Sequence, residues 1–137
     1  MISASRSKAT VLVVEDDALA RELLAQLLQA GGFEVIAVPA GDRALLLLCQ
    51  QGDEIDWLVS KVGLPGLICG FILADEYHER HPARPALLLS SLDSADRSSA
   101  HAVFIPPAAP MRVLEVLQAL KRPEPAQAPQ LPTTKAA

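Results

Sequence analysis

Five short apolar runs, separated by segments of helical spacing, constrain the fold of this chain more than any single motif. Thr10 to Val14 reads TVLVV with no polar alternation, the pattern of a strand buried on both faces. From Ala18 to Ala30, Leu19, Leu23, Leu24, Leu27 and Leu28 recur at helical spacing until Gly31-Gly32 stops them. The unit repeats as a strand over Glu34 to Val38 and a leucine-rich helix over Asp42 to Gln51, framed by Gly41 and Gly52. Ile55 to Ser60 reads as a third strand reaching Lys61, followed by a turn with Gly63, Pro65, Gly66 and Gly70, then a helix over Phe71 to Arg80. Pro85 to Ser90 and Ala102 to Ile105 supply two more strands, the latter closed by Pro106-Pro107. Between them the polar stretch 91–100 allows a fourth helix of one or two turns at most. The last helix runs from Met111 to Lys121 with Val113, Leu114, Leu117 and Leu120 on one side.

Parallel strands joined this way need right-handed helical crossovers, so the expectation is a doubly wound α/β domain with helices on both faces of a five-stranded parallel sheet. With 137 residues, half of them hydrophobic, the chain supports one core rather than two. Residues 1–9 read as a flexible lead, 10–122 as the domain, and 123–137, rich in Pro and Ala, as a disordered tail.

A formal charge of -4 offers no basic stripe for phosphates, which argues against nucleic-acid binding. Cys49 and Cys69 are too few for a disulfide framework, and no run approaches the length of a membrane span or a secretory signal. A soluble cytoplasmic protein is expected.

Ligand sites in such sheets form beyond the carboxyl ends of the strands, where strand order reverses. Strand one exits at Glu15-Asp16-Asp17, strand three at Lys61, strand four at Ser90-Ser91 and strand five at Pro106-Pro107. The run VLVVEDDALARELL, then IDWLVSKVGLPG, then LLLSS, resembles the CheY-like receiver domain of response regulators from about residue 10 to 121. The resemblance implies a flavodoxin-like strand order of 2-1-3-4-5 and a place in two-component, phosphorelay signalling. It implies that Glu15 and Asp16 match the acidic pair that holds magnesium, and that Ser90 matches the small hydroxyl residue that contacts a phosphoryl group.

Two positions depart from the family pattern: Lys61 stands where the phosphate-accepting aspartate belongs, and Pro106 where a lysine precedes proline. An ammonium cannot attack phosphohistidine as a carboxylate does, so aspartyl phosphorylation at that position is excluded. Glu15, Asp16 and an aspartate would carry three negative charges, whereas with Lys61 the formal charge is -1, which disfavours a small hard cation. Glu15 and Asp16 are thus expected to be remnants of a magnesium site, with no metal and no other cofactor. The Lys61 ammonium is expected to lie where the metal would and to pair with Asp16 or Glu15; the plainer reading has it extending into solvent.

Asp17 directly precedes the helical pattern and reads as an N-cap, and Ser90 reads as capping a turn. Pro106-Pro107 leaves a cis bond open. His78 and His81 read as solvated, Cys69 as a filler, and Trp57 and Leu58 as core. Val103 corresponds to the family's aromatic switch position and, with Phe104, marks a candidate partner surface of fixed shape.

The expected function is that of a stand-alone pseudo-receiver, not an enzyme, which binds a histidine kinase, a phosphotransfer protein or another signalling protein without being phosphorylated. Self-association as a homodimer belongs to the same reading. The alternative is a phospho-regulated receiver that uses Asp16 or Asp17 as acceptor. A flavodoxin-like cofactor binder ranks last, because carboxylates at the first strand exit would repel a phosphate.

Overall fold

The computed structural model describes residues 8–91 and 102–121. Most of the lead expected at 1–9, the short helix expected within 91–100 and the tail at 123–137 lie outside the described residues.

The elements are β1 (Thr10–Val14), α1 (Ala18–Ala30), β2 (Glu34–Val38), α2 (Gly41–Gln51), β3 (Trp57–Lys61), α3 (Gly70–Arg80), β4 (Ala86–Leu89), β5 (Ala102–Ile105) and α4 (Pro110–Lys121). All strand pairings are parallel and the order is β2-β1-β3-β4-β5, as expected.

Successive strand side chains point to opposite faces, and this splits the core in two. Val11 and Val13 of β1 pack with Leu24 and Leu28 of α1 and with Val113 and Leu117 of α4. Leu12 and Val14 pack on the other face with Leu48 of α2 and with Leu73 and Tyr77 of α3. Residues 11 to 14 are fully buried, which is why the β1 sequence shows no polar alternation. Each fully buried leucine contributes about 1.5–3 kcal/mol from surface removed from water.

Several boundaries differ from those expected. β3 begins at Trp57 rather than Ile55, because Gly52–Glu54 winds into a short 3-10 turn that leaves Ile55 buried but unpaired. β4 is trimmed to Ala86–Leu89, and α2, α3 and α4 each start one residue early. The apolar stripe expected on α1 is corrected as well. Leu24, Ala25 and Leu28 face the sheet, while Leu19 is 78% and Leu23 57% exposed. The two exposed leucines sit one above the other on a flank of the helix, rotated off the seated face. Among the described residues there is no cis peptide bond, so Ile105, Pro106 and Pro107 are joined in trans.

The amino end of the sheet is tied down away from the strand exits. The Thr10 backbone N–H donates to the Asp56 carboxylate at 2.8 Å, and the Tyr77 hydroxyl donates to the Asp56 carbonyl at 2.7 Å. Arg84 donates to the same carbonyl at 3.0 Å and lies 5.0 Å from the centre of the Trp57 ring. Burial pushes the Tyr77 phenol far above its ordinary range, so it is a permanent donor. No described helix is long and apolar enough to cross a membrane.

Candidate functional site at the carboxyl edge of the sheet

β1 has β2 on one side and β3 on the other, so the crossovers diverge at its carboxyl end and leave a crevice there. The three acidic residues that follow β1 have three different roles. The Glu15 backbone N–H extends the ladder to the Val38 carbonyl at 3.2 Å, and its side chain turns inward, so the residue is only 6% exposed. Its carboxylate accepts the Asp17 backbone N–H at 2.9 Å. Asp17 adopts the extended N-cap conformation, and its carboxylate accepts the Ala20 N–H at 2.8 Å, satisfying one of the donors left open by the first turn of α1. Asp16, between them, points across the crevice.

β3 delivers Lys61 to this point. Val14 pairs with Ser60, so Lys61 extends one residue beyond the paired end of β1, beside the acidic run. Its Nζ donates to Asp16 Oδ1 at 3.0 Å and stands 3.7 Å from Glu15 Oε2. The Lys61 and Asp16 side chains are 37% and 36% exposed, and the Glu15 side chain only 8%. The hydrogen bond from Lys61 holds the Asp16 carboxyl below the usual carboxylate range, and the same bond holds the Lys61 ammonium above the usual lysine range. The backbone beneath is rigid: the buried Ser60 hydroxyl donates to the Lys61 carbonyl at 2.8 Å, and the Val62 N–H donates to Leu89 at 2.9 Å. Gly70 is required here, since a Cβ would collide with the Lys61 carbonyl oxygen. Gly66, at φ 90°, turns the loop between β3 and α3 through a conformation side chains rarely adopt.

The sequence pattern described as the response regulator receiver domain matches residues 11–104. The chain belongs to that family. It is 36% identical over 90 residues to the response regulator protein FleR of Pseudomonas aeruginosa, a match covering 66% of this chain and 18% of that protein. It is 30% identical over 87 residues to a cyclic di-GMP phosphodiesterase of Thermotoga maritima, covering 64% and 22%. The match therefore spans about a fifth of these relatives. Among solved structures, the receiver domain of the hybrid histidine kinase CckA is similar at 27% identity and a TM-score of 0.70, over 83% of this chain and all of that one.

In this receiver, Glu15, Asp16 and Lys61 come together, while Ser90 and Pro106 lie at the neighbouring exits of β4 and β5. The Ser90 N–H donates to the Ile105 carbonyl at 3.1 Å, joining those two exits, and Pro106 is exposed. Val103 and Phe104 are half-buried and pack into opposite core clusters, with the Phe104 ring 6.2 Å from that of Phe71. His81 lies 3.2 Å from the Gly52 carbonyl and against the Tyr77 ring, and Cys69 takes the N-cap position of α3. Among the described residues no group of three or more His, Cys, Asp or Glu side chains is placed to hold a metal ion.

Two features escaped the sequence reading. Arg21 reaches back from α1 to donate to the Glu15 carbonyl at 2.9 Å, a second cation at the acidic run. A cleft of about 370 Å³ opens between α1 and the start of α4. Glu15 lines it together with apolar side chains.

Proposed function

We propose that this receiver works in two-component signalling by phosphorylation-independent protein binding, as a pseudo-receiver with no enzymatic step. One observation carries the reading: the residue that ends β3 is Lys61, and its ammonium bonds Asp16 at 3.0 Å with Glu15 3.7 Å away. An amine in that place forms no acyl phosphate.

The same geometry bears on magnesium, which the family implies. The donor set does not fit it. Magnesium needs near-octahedral oxygen ligation, and here an ammonium already holds the two carboxylates that would supply it. Lys61 offsets one of the two carboxylate charges from within the pocket, so the placement of Asp16 does not wait on a metal ion. Asp16 as a substitute acceptor would first have to leave its ion pair.

Receivers engage histidine kinases and phosphotransfer proteins, and a cytoplasmic partner of that kind, or a second receiver, fits a domain of fixed shape. The reading is tested by intact-mass spectrometry after incubation with acetyl phosphate and magnesium. An unchanged mass is expected. A phosphate adduct lost on Asp16→Asn would overturn the reading in favour of an unusual acceptor.

A further inference from the structure

The cleft between α1 and α4 has no part in the proposal above. Its walls are Leu23 and Leu24 from α1, Val113 from α4, Leu89 from the end of β4 and Pro107 from the loop between β5 and α4, and its volume is about 370 Å³. Of its lining residues Glu15 alone is ionisable. Cavities that hold small molecules have this composition, mostly apolar with a few fixed polar groups, and volumes of roughly 300–1,000 Å³.

Glu15 decides what kind of molecule fits. The residue is more than nine-tenths buried, so its carboxylate has lost most of its water. It receives one backbone N–H, from Asp17, while the nearest ammonium, Lys61, makes its hydrogen bond to Asp16 and remains 3.7 Å away. Around the site Glu15, Asp16 and Asp17 face Lys61 and Arg21, leaving one negative charge in formal terms. A desolvated carboxylate at the wall of an apolar cleft strengthens its interaction with any cation that reaches it and repels anions.

We propose that this cleft binds a small organic cation, an ammonium or guanidinium carried on an apolar body, with the cation toward Glu15 and the body against Leu23, Leu24 and Val113. Apolar contact supplies the affinity and the carboxylate supplies the selectivity. The inference rests on the cleft and on Glu15, and it stands whether or not the receiver is phosphorylated.

The test is a methyl NMR titration of the full chain with 2-phenylethylammonium chloride, beside 2-phenylethanol as its neutral counterpart. Saturable shifts are expected at the methyls of Leu23, Leu24, Leu89 and Val113, with the ammonium at least about tenfold tighter than the alcohol. Glu15→Gln should erase that preference while leaving the alcohol bound. Ala20→Phe, at an exposed α1 position on the cleft wall, should block both ligands and leave distant methyls unmoved. Absence of saturable shifts, equal binding of the two ligands, or binding that survives Ala20→Phe would each overturn the proposal; the last two hold even if Glu15→Gln does not fold.

Discussion

Lys61 Nζ and Asp16 Oδ1, 45 residues apart in sequence, lie 3.0 Å apart at the exits of β3 and β1. The contact is long-range but its parts are local: a parallel register sets the two strand ends side by side, and Asp16 is the acid of its run whose carboxylate accepts a hydrogen bond from the Lys61 ammonium. A lysine at a strand end is ordinarily free to wander in water. Here two carboxylates within 4 Å give it a place, and it gives them a counter-charge.

Removing that counter-charge should be felt. Lys61→Ala is expected to lower stability by about 1 kcal/mol at pH 7 and low salt, the upper end for a partly exposed pair, because it also leaves the buried Glu15 beside an unpaired Asp16. Urea unfolding monitored by circular dichroism measures it. A loss below about 0.5 kcal/mol, ordinary for a featureless surface change, would mean that the pair contributes nothing.

The same pair sets a pH window. The folded Asp16 carboxyl titrates below its ordinary value of about 3.9, so its share of stability is complete above that pH and is lost as the pH falls through the lower folded value. The folded Lys61 ammonium titrates above its ordinary value of about 10.4, so its share is complete below that pH and is lost as the pH rises through the higher folded value. The stability difference between the native chain and Lys61→Ala should therefore form a plateau between the two limits and shrink outside them. Both side chains are more than one-third exposed, so solvent screening keeps the plateau low and added salt lowers it further. A difference unchanged at pH 3 would contradict the ion pair.

Gly70 offers a test of the scaffold rather than of the charges. Gly70→Ala puts a methyl against the Lys61 carbonyl oxygen and 2.9 Å from the Val62 Cα, backbone atoms that cannot rotate away. The expected loss is about 1–3 kcal/mol, measured by urea midpoint, with shifted backbone NMR signals at residues 60 to 62. Wild-type stability would show that the loop yields.

The fold was readable because the signals were local. TVLVV without polar alternation marks β1, Gly31-Gly32 marks the end of α1, and three helices set between successive strands, α1, α2 and α3, leave a parallel sheet as the consistent arrangement. The strand exits followed from the same reading, which brought Glu15, Asp16 and Lys61 under suspicion. Other features depend on packing between distant segments. Helical spacing identified Leu19 and Leu23 as apolar but could not show that the seat on the sheet is taken by Leu24, Ala25 and Leu28. Ile55 looked like strand because it is apolar and buried, although a 3-10 turn holds it. Arg21 carried no sequence signal, since an arginine in the first turns of a helix ordinarily faces water. The cleft exists only because α4, some ninety residues on, packs beside α1. Trp57 illustrates the scale: it opens β3 while Lys61 closes it, about 13 Å away at the usual rise per residue, so its fluorescence is a poor reporter of the acidic pocket.

If the proposed function holds, the Lys61 ammonium does for the Glu15 and Asp16 carboxylates what a metal ion would otherwise do. The most direct measurement is thermal unfolding with and without millimolar magnesium, for the native chain and for Lys61→Asp. The native chain should show no magnesium-dependent change, whereas Lys61→Asp, with three carboxylates and no ammonium, should be less stable alone and should regain stability as magnesium is added. Stabilisation of the native chain by magnesium, to the same extent as the variant, would contradict the claim.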